Sequence, residues 1–185
     1  MPISRRRRMA AVLAVVAGVG TAGAVAATSQ PTPVPVAKAL AWAIDARYLG
    51  REGVRMQRGK VDCGVAVLAM IMEHHRRPPA LEGVGRDVLE RGEGLTLLEM
   101  QGIASGRGLD ASGWRLDVPA LARAPLPAVA HFQDHYVVVD RVTPGGTVLI
   151  RDPSIGRLEL SAERFRELWT GNVLLFGAPS APRGT

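Results

Sequence analysis

Hydrophobic residues change their period once along this chain, near residue 110. Before that point the spacing is helical. Val65 to Met72 contains no polar residue, and an all-round apolar run of that length, rich in Ala, Leu and Met, predicts a buried helix. Arg77-Pro78-Pro79 stops it. Leu81, Val84, Val88 and Leu89 then fall at helical spacing in a segment ending at Arg91. Thr96-Leu97-Leu98-Glu99 has the form of a capping box and predicts a helix to about Ser105, ended by Gly106 and Gly108.

Beyond that point the chain reads as strands. Ala111–Leu116 is the first, followed by a short helix from Asp117 to Ala124 with Asp117 as its cap and Pro119 in its first turn. Ala128–Phe132, His135–Val142 and Thr147–Arg151 are rich in β-branched residues, and Pro144-Gly145-Gly146 predicts an antiparallel hairpin between the last two. A second turn, Asp152 to Gly156, leads to a strand at Arg157–Leu160. Ser161 would cap a helix to Trp169, and Val173–Phe176 closes the pattern. Helices followed by antiparallel strands indicate an α+β domain. Two stretches carry weaker patterns: Lys38–Tyr48 alternates between helical and irregular spacing, and Gly53–Gln57 is a short strand or extended arm before the turn at Arg58-Gly59-Lys60.

The N-terminus reads differently from the rest. Arg5 to Arg8 form a charged run, Met9 to Gly23 is apolar, and Ala24-Val25-Ala26 matches a signal-peptidase site. Residues 1–27 are therefore expected to be a signal peptide, which places the protein in the periplasm or outside the cell. If the segment is kept, it would be a short membrane anchor. Residues 28–36 follow as a proline-spaced linker, 37–178 as one folded domain and 179–185 as a loose tail. The whole chain has a net charge of +6, but the leader holds four arginines and no acid, so the remainder carries only +2. With few aromatic residues and no later basic run, nucleic acid is not an expected partner.

Cys63 is the only cysteine, which excludes a disulfide framework within the chain. A lone thiol in an oxidising compartment is a hazard unless it performs chemistry. Cys63 stands at the start of the apolar helix, with Asp62 as a candidate N-cap, and free backbone N–H groups there favour the thiolate, which is the nucleophile. The plainer reading is a small core residue, since free cysteines are commonly buried. Two features weigh against it. Gln57 lies six residues earlier in a glycine-containing turn, where its amide could donate to an oxyanion. Downstream, His135 and Asp152 lie eight residues before Thr143 and six after Gly146, so hairpin pairing with a turn or bulge adjustment brings them to one end of the ladder. There a carboxylate can fix the imidazole tautomer and leave the other nitrogen for a thiolate.

His131 competes with His135 but has no acid at a matching hairpin position. His74 and His75 sit at the far end of the cysteine helix, where cations suit the helix dipole. No spacing suggests a zinc site or a phosphate cradle, so neither metal nor cofactor is expected.

Gln57, D-C-G-V-A-V-L-A-M at 62–70, H-Y-V-V-V at 135–139 and D-P-S-I-G at 152–156 together resemble the cysteine peptidases that cut double-glycine leaders from bacteriocins, family thirty-nine in the papain-like clan. The resemblance spans about Val54 to Gly177. It implies a papain-like fold, Cys63 as nucleophile, His135 as general base, Asp152 as its orienter, Gln57 as oxyanion donor, and cleavage after small residues such as Gly-Gly. The usual members are domains of ABC exporters. G-L-T-L-L-E-M at 94–100 and W-T-G at 169–171 are similar to the stand-alone periplasmic relatives of functional-amyloid secretion systems. The partner implied is a polypeptide substrate, a secreted peptide or an amyloid-like subunit, with export machinery nearby and membrane contact only through the leader. Two other readings share the cleft: a non-catalytic module that holds a secreted client, and an amidase or transferase acting on cell-wall peptides.

Overall fold

The computed structural model describes residues 31–177, so the expected signal segment and tail lie outside the described residues. The first element, α1 (Val34–Ala43), begins inside the expected linker. Pro33 precedes it and Pro35 falls in its first turn, where a missing N–H costs nothing, so the prolines open a helix here instead of spacing an extended segment. Ala37 and Ala41 are its buried stripe. The ambiguous stretch after it resolves into the end of this helix and a short strand, β1 (Arg47–Gly50). Residues 51–62 form an arm with no strand pairing.

The apolar run forms α2 (Cys63–His74), and α3 (Glu82–Arg91) and α4 (Leu97–Ser105) follow as the spacing requires. Both bonds of the Thr96–Glu99 capping box are made. The second half supplies β2 (Ala111–Arg115), α5 (Val118–Leu121), β3 (Ala128–Phe132), β4 (His135–Val142), β5 (Thr147–Asp152), β6 (Gly156–Ser161), α6 (Ala162–Leu168) and β7 (Asn172–Phe176). Asp117 and Ser161 cap α5 and α6 through Ala120 N–H and Arg164 N–H. The strands form one seven-stranded antiparallel sheet in the order β1-β6-β5-β4-β3-β7-β2.

Each face of that sheet builds its own core. Ala128, Ala130, Val137, Val139, Val173 and Leu175 join Val148, Ile150, Leu158 and Leu160 under α1, α5 and α6. The alternate residues Val129, Val138, Leu174 and Phe176 meet Leu68, Ile71 and Met72 of α2 and Met100 of α4. Strands β3, β4 and β7 are thus covered on both sides, and they carry unbroken apolar runs for that reason. β5 and β6 bury every second residue, and their sequence alternates accordingly. Among the described residues no helix is long and apolar enough to cross a membrane.

Candidate active site

Cys63 is the first residue of α2 and is 4% exposed. Gly64 follows because α2 starts in close contact with the loop before α4: a Cβ there would meet Leu95 Cβ at 3.1 Å. Asp62 occupies the N-cap position but makes no capping bond, which corrects the sequence expectation. Its backbone (φ −96°, ψ 14°) is not the extended conformation that aims a cap side chain at the first turn. The buried carboxylate instead turns back, accepting from Arg58 N–H and Gly59 N–H, each at 2.9 Å. It shapes the turn that delivers the thiol.

His135 opens β4 and Asp152 ends β5. Their meeting depends on one irregularity. Arg141 pairs with Leu149, but Val139 pairs with Ile150, so Asp140 is an extra residue in β4. Carried one step further, the shifted register sets Asp152 opposite Val137, two residues from His135 and therefore on the same face. Without the bulge Asp152 would oppose Val138, whose side chain belongs to the α2 core. In the bulged ladder His135 Nε2 lies 3.0 Å from Asp152 Oδ1. That same oxygen accepts from Ser154 N–H at 2.7 Å and from the Ser154 hydroxyl at 2.6 Å. Sequence reasoning had no part for Ser154, although an Asp-Pro-Ser turn favours such bonds.

The electrostatics follow from these contacts. Burial pulls the His135 imidazole down, but hydrogen bonds to Asp152 and Cys63 and the charges of both outweigh it, raising the pKa to about 10. Burial likewise works against charge on Asp152. His135 and Ser154 overcome it and hold the carboxyl below its ordinary value. With Nε2 facing Asp152, Nδ1 is the ring nitrogen left for the Cys63 sulfur. The phenol of Tyr136 is pushed up by burial first, then by the charges of Cys63 and Glu99. The sequence did not single out Tyr136, whose phenol feels the charge of Cys63.

The other candidates are placed as follows. Gln57 is tied to the strand end by its backbone N–H, which donates to Pro153 O at 2.9 Å. Its Nε2 donates to Gly59 O at 2.6 Å, leaving the second amide hydrogen uncommitted, while the buried Oε1 has no hydrogen-bond partner. His131 pairs with Tyr136 in the ladder, its ring 4.9 Å from the tyrosine ring, and its Nδ1 is 3.3 Å from Thr170 Oγ1. Tyr136 packs against the α2 core, so His131 lies on the face opposite His135. His74 and His75 stand at the far end of α2. Among the described residues no three His, Cys, Asp or Glu side chains cluster as metal ligands would.

The pattern that defines the Peptidase C39 family matches residues 51–181. The chain belongs to this family. It has the papain-like fold of its relatives in this cysteine-peptidase family. The chain is 31% identical over 136 residues to the lactococcin-G-processing and transport ATP-binding protein LagD of Lactococcus lactis, covering 68% of this chain and 18% of that one. It is 26% identical over 140 residues to the "Probable functional amyloid protease FapD" of Pseudomonas aeruginosa, covering 69% of this chain and 62% of that one. A solved double-glycine-motif protease from an AMS/PCAT transporter, crystallised with a leader peptide, superposes with a TM-score of 0.61 at 30% identity, covering 66% of this chain and 89% of that one. This C39 peptidase thus spans less than a fifth of its exporter relative and under two thirds of FapD.

Proposed function

We propose that this C39 peptidase is an exported endopeptidase that cleaves a secreted polypeptide after small residues of the Gly-Gly type, through Cys63, His135, Asp152 and Gln57. The observation that carries the reading is the 3.0 Å contact between His135 Nε2 and Asp152 Oδ1, with Cys63 acting on the same imidazole. Cys63 thiolate attacks the scissile carbonyl carbon, and the oxyanion is received by Gln57 Nε2–H and the Cys63 backbone N–H. The proton on His135 Nδ1 passes to the leaving amine as the C–N bond breaks, leaving a thioester. Water then attacks the thioester while His135 takes its proton, and the carboxylic acid departs as the thiolate returns.

Two relatives support a polypeptide substrate. The leader peptide bound by the AMS/PCAT protease and the amyloid role in the name of FapD point to substrates that are themselves secreted. The basic and apolar N-terminal segment supports export, with the membrane reached through that segment alone.

The test is labelling with a peptide electrophile ending in Gly-Gly, read by intact mass. Cys63→Ala abolishes the adduct, and His135→Ala slows it by roughly 10²-fold or more. Damage from His131→Ala without damage from His135→Ala overturns the histidine assignment, and equal labelling by an electrophile ending in Leu-Leu overturns the small-residue preference.

A further inference from the structure

The bulge that brings His135 and Asp152 to one face is not held by backbone alone. Arg151, the residue before Asp152, grips the bulged residue Asp140 across the ladder. Its Nε is 3.0 Å from both carboxylate oxygens, and its Nη2 is 2.8 Å from Oδ1. The remaining terminal nitrogen, Nη1, donates to Gly53 O at 3.1 Å, on the arm that leads to Gln57. The pair is half-buried, with the side chains 14% and 29% exposed, and it is forked in the geometry that favours a guanidinium over an ammonium.

The residues on either side of Asp152 therefore hold the same arm. Arg151 takes it at Gly53 through its side chain, and Pro153 takes it at Gln57 through its carbonyl. We propose that Asp140 and Arg151 are a positioning pair for the reaction, clamping the β4 bulge in the register that aligns His135 with Asp152 and tethering the arm that carries Gln57. Neither residue touches the reacting atoms. Both act through the groups that do. Loss of the bulge would shift the register by one residue and turn every side chain on the His135 side of it to the other face. An ionic fork from the neighbouring strand is a means of pinning it.

The inference rests on His135 and Asp152 being base and orienter, and the experiment separates the two claims. Turnover of a fluorogenic peptide ending in Gly-Gly by the full chain is expressed per folded chain, the folded fraction of each variant being read from its cooperative thermal transition. Arg151→Ala and Asp140→Asn are each expected to lower kcat about 10- to 100-fold, the effect of a small misplacement of reacting groups, with KM within about twofold of wild type. Arg151→Lys keeps the charge but loses the fork and the Gly53 tether, and is expected to recover part of kcat. Its folding does not depend on accommodating a lost charge, so it keeps the test open if Arg151→Ala misfolds.

Wild-type kcat per folded chain in Arg151→Lys and in Asp140→Asn overturns the positioning role while His135→Ala remains inactive. A His135→Ala chain as active as wild type sinks the triad reading instead.

Discussion

His135 Nε2 lies 3.0 Å from Asp152 Oδ1 although the two residues are diagonal, not opposite, in the β4–β5 ladder. Diagonal neighbours on one face stand within reach of long side chains. An imidazole that meets a carboxylate through one nitrogen has the second left for the Cys63 sulfur. The same contact decides how the site should respond to pH and to substitution.

The imidazole keeps its proton up to about pH 10. Since this is above the unperturbed value of about 6.5, protonated His135 contributes stability that is fully present below the unfolded pKa and is lost as pH rises through the folded one. The alkaline limb of kcat/KM, where the acid for the leaving amine disappears, is accordingly expected near 10. A pH–rate profile checks this, and an alkaline limb near 7 would contradict the ion pair.

Asp152 has the opposite sign. Its carboxyl is held low by His135 and Ser154 against the effect of burial. Its charge therefore contributes stability above the unfolded pKa, and that contribution is lost as pH falls through the lower folded value. Asp152→Asn is expected to flatten the acid side of the stability profile and to lower kcat by roughly 10²–10⁴-fold. Denaturant titrations at several pH values, paired with turnover, read both effects.

Gln57 donates one amide hydrogen to Gly59 O and is anchored by its backbone to Pro153. Removing the amide leaves the backbone anchor in place. Gln57→Ala is expected to lower kcat by about 10²–10³-fold, as loss of an oxyanion donor does elsewhere, with little change in the thermal midpoint. An unchanged kcat would exclude Gln57 from the oxyanion site.

Gly156 ends the turn after Asp152 at φ +137°, and a Cβ there would meet Gly50 O at 2.5 Å and Tyr48 Cε2 at 2.9 Å. Gly156→Ala is expected to cost about 1–3 kcal/mol from backbone conformation alone. The clash with β1 adds to that, so the thermal midpoint should fall by several degrees at roughly 2–4 °C per kcal/mol. A midpoint equal to wild type would contradict both the backbone cost and the clash with β1.

Much of the fold was legible because its signals are local. The capping box at Thr96, the Asp117 and Ser161 caps and the Pro144-Gly145-Gly146 turn each depend on a few adjacent residues, and each formed where the pattern put it. Prolines misled at α1, because the residues that space an extended linker also suit a first helical turn, and only the burial of Ala37 and Ala41 decides between them. Asp62 misled for a related reason. An aspartate before a helix can turn forward to cap it or back to close the preceding turn, and its local backbone angles settle which.

By itself the sequence determined the α+β class, nearly all of the elements, the lone thiol at a helix start and the family. These follow from periodicity, turn chemistry and ordered motifs, which are properties of short segments. The tertiary structure alone decided that the bulge falls at Asp140, that Arg151 reaches both Asp140 and Gly53, and that His135, not His131, shares a face with Asp152. A one-residue shift between two strands turns every following side chain over, and that shift is set by contacts distant in sequence.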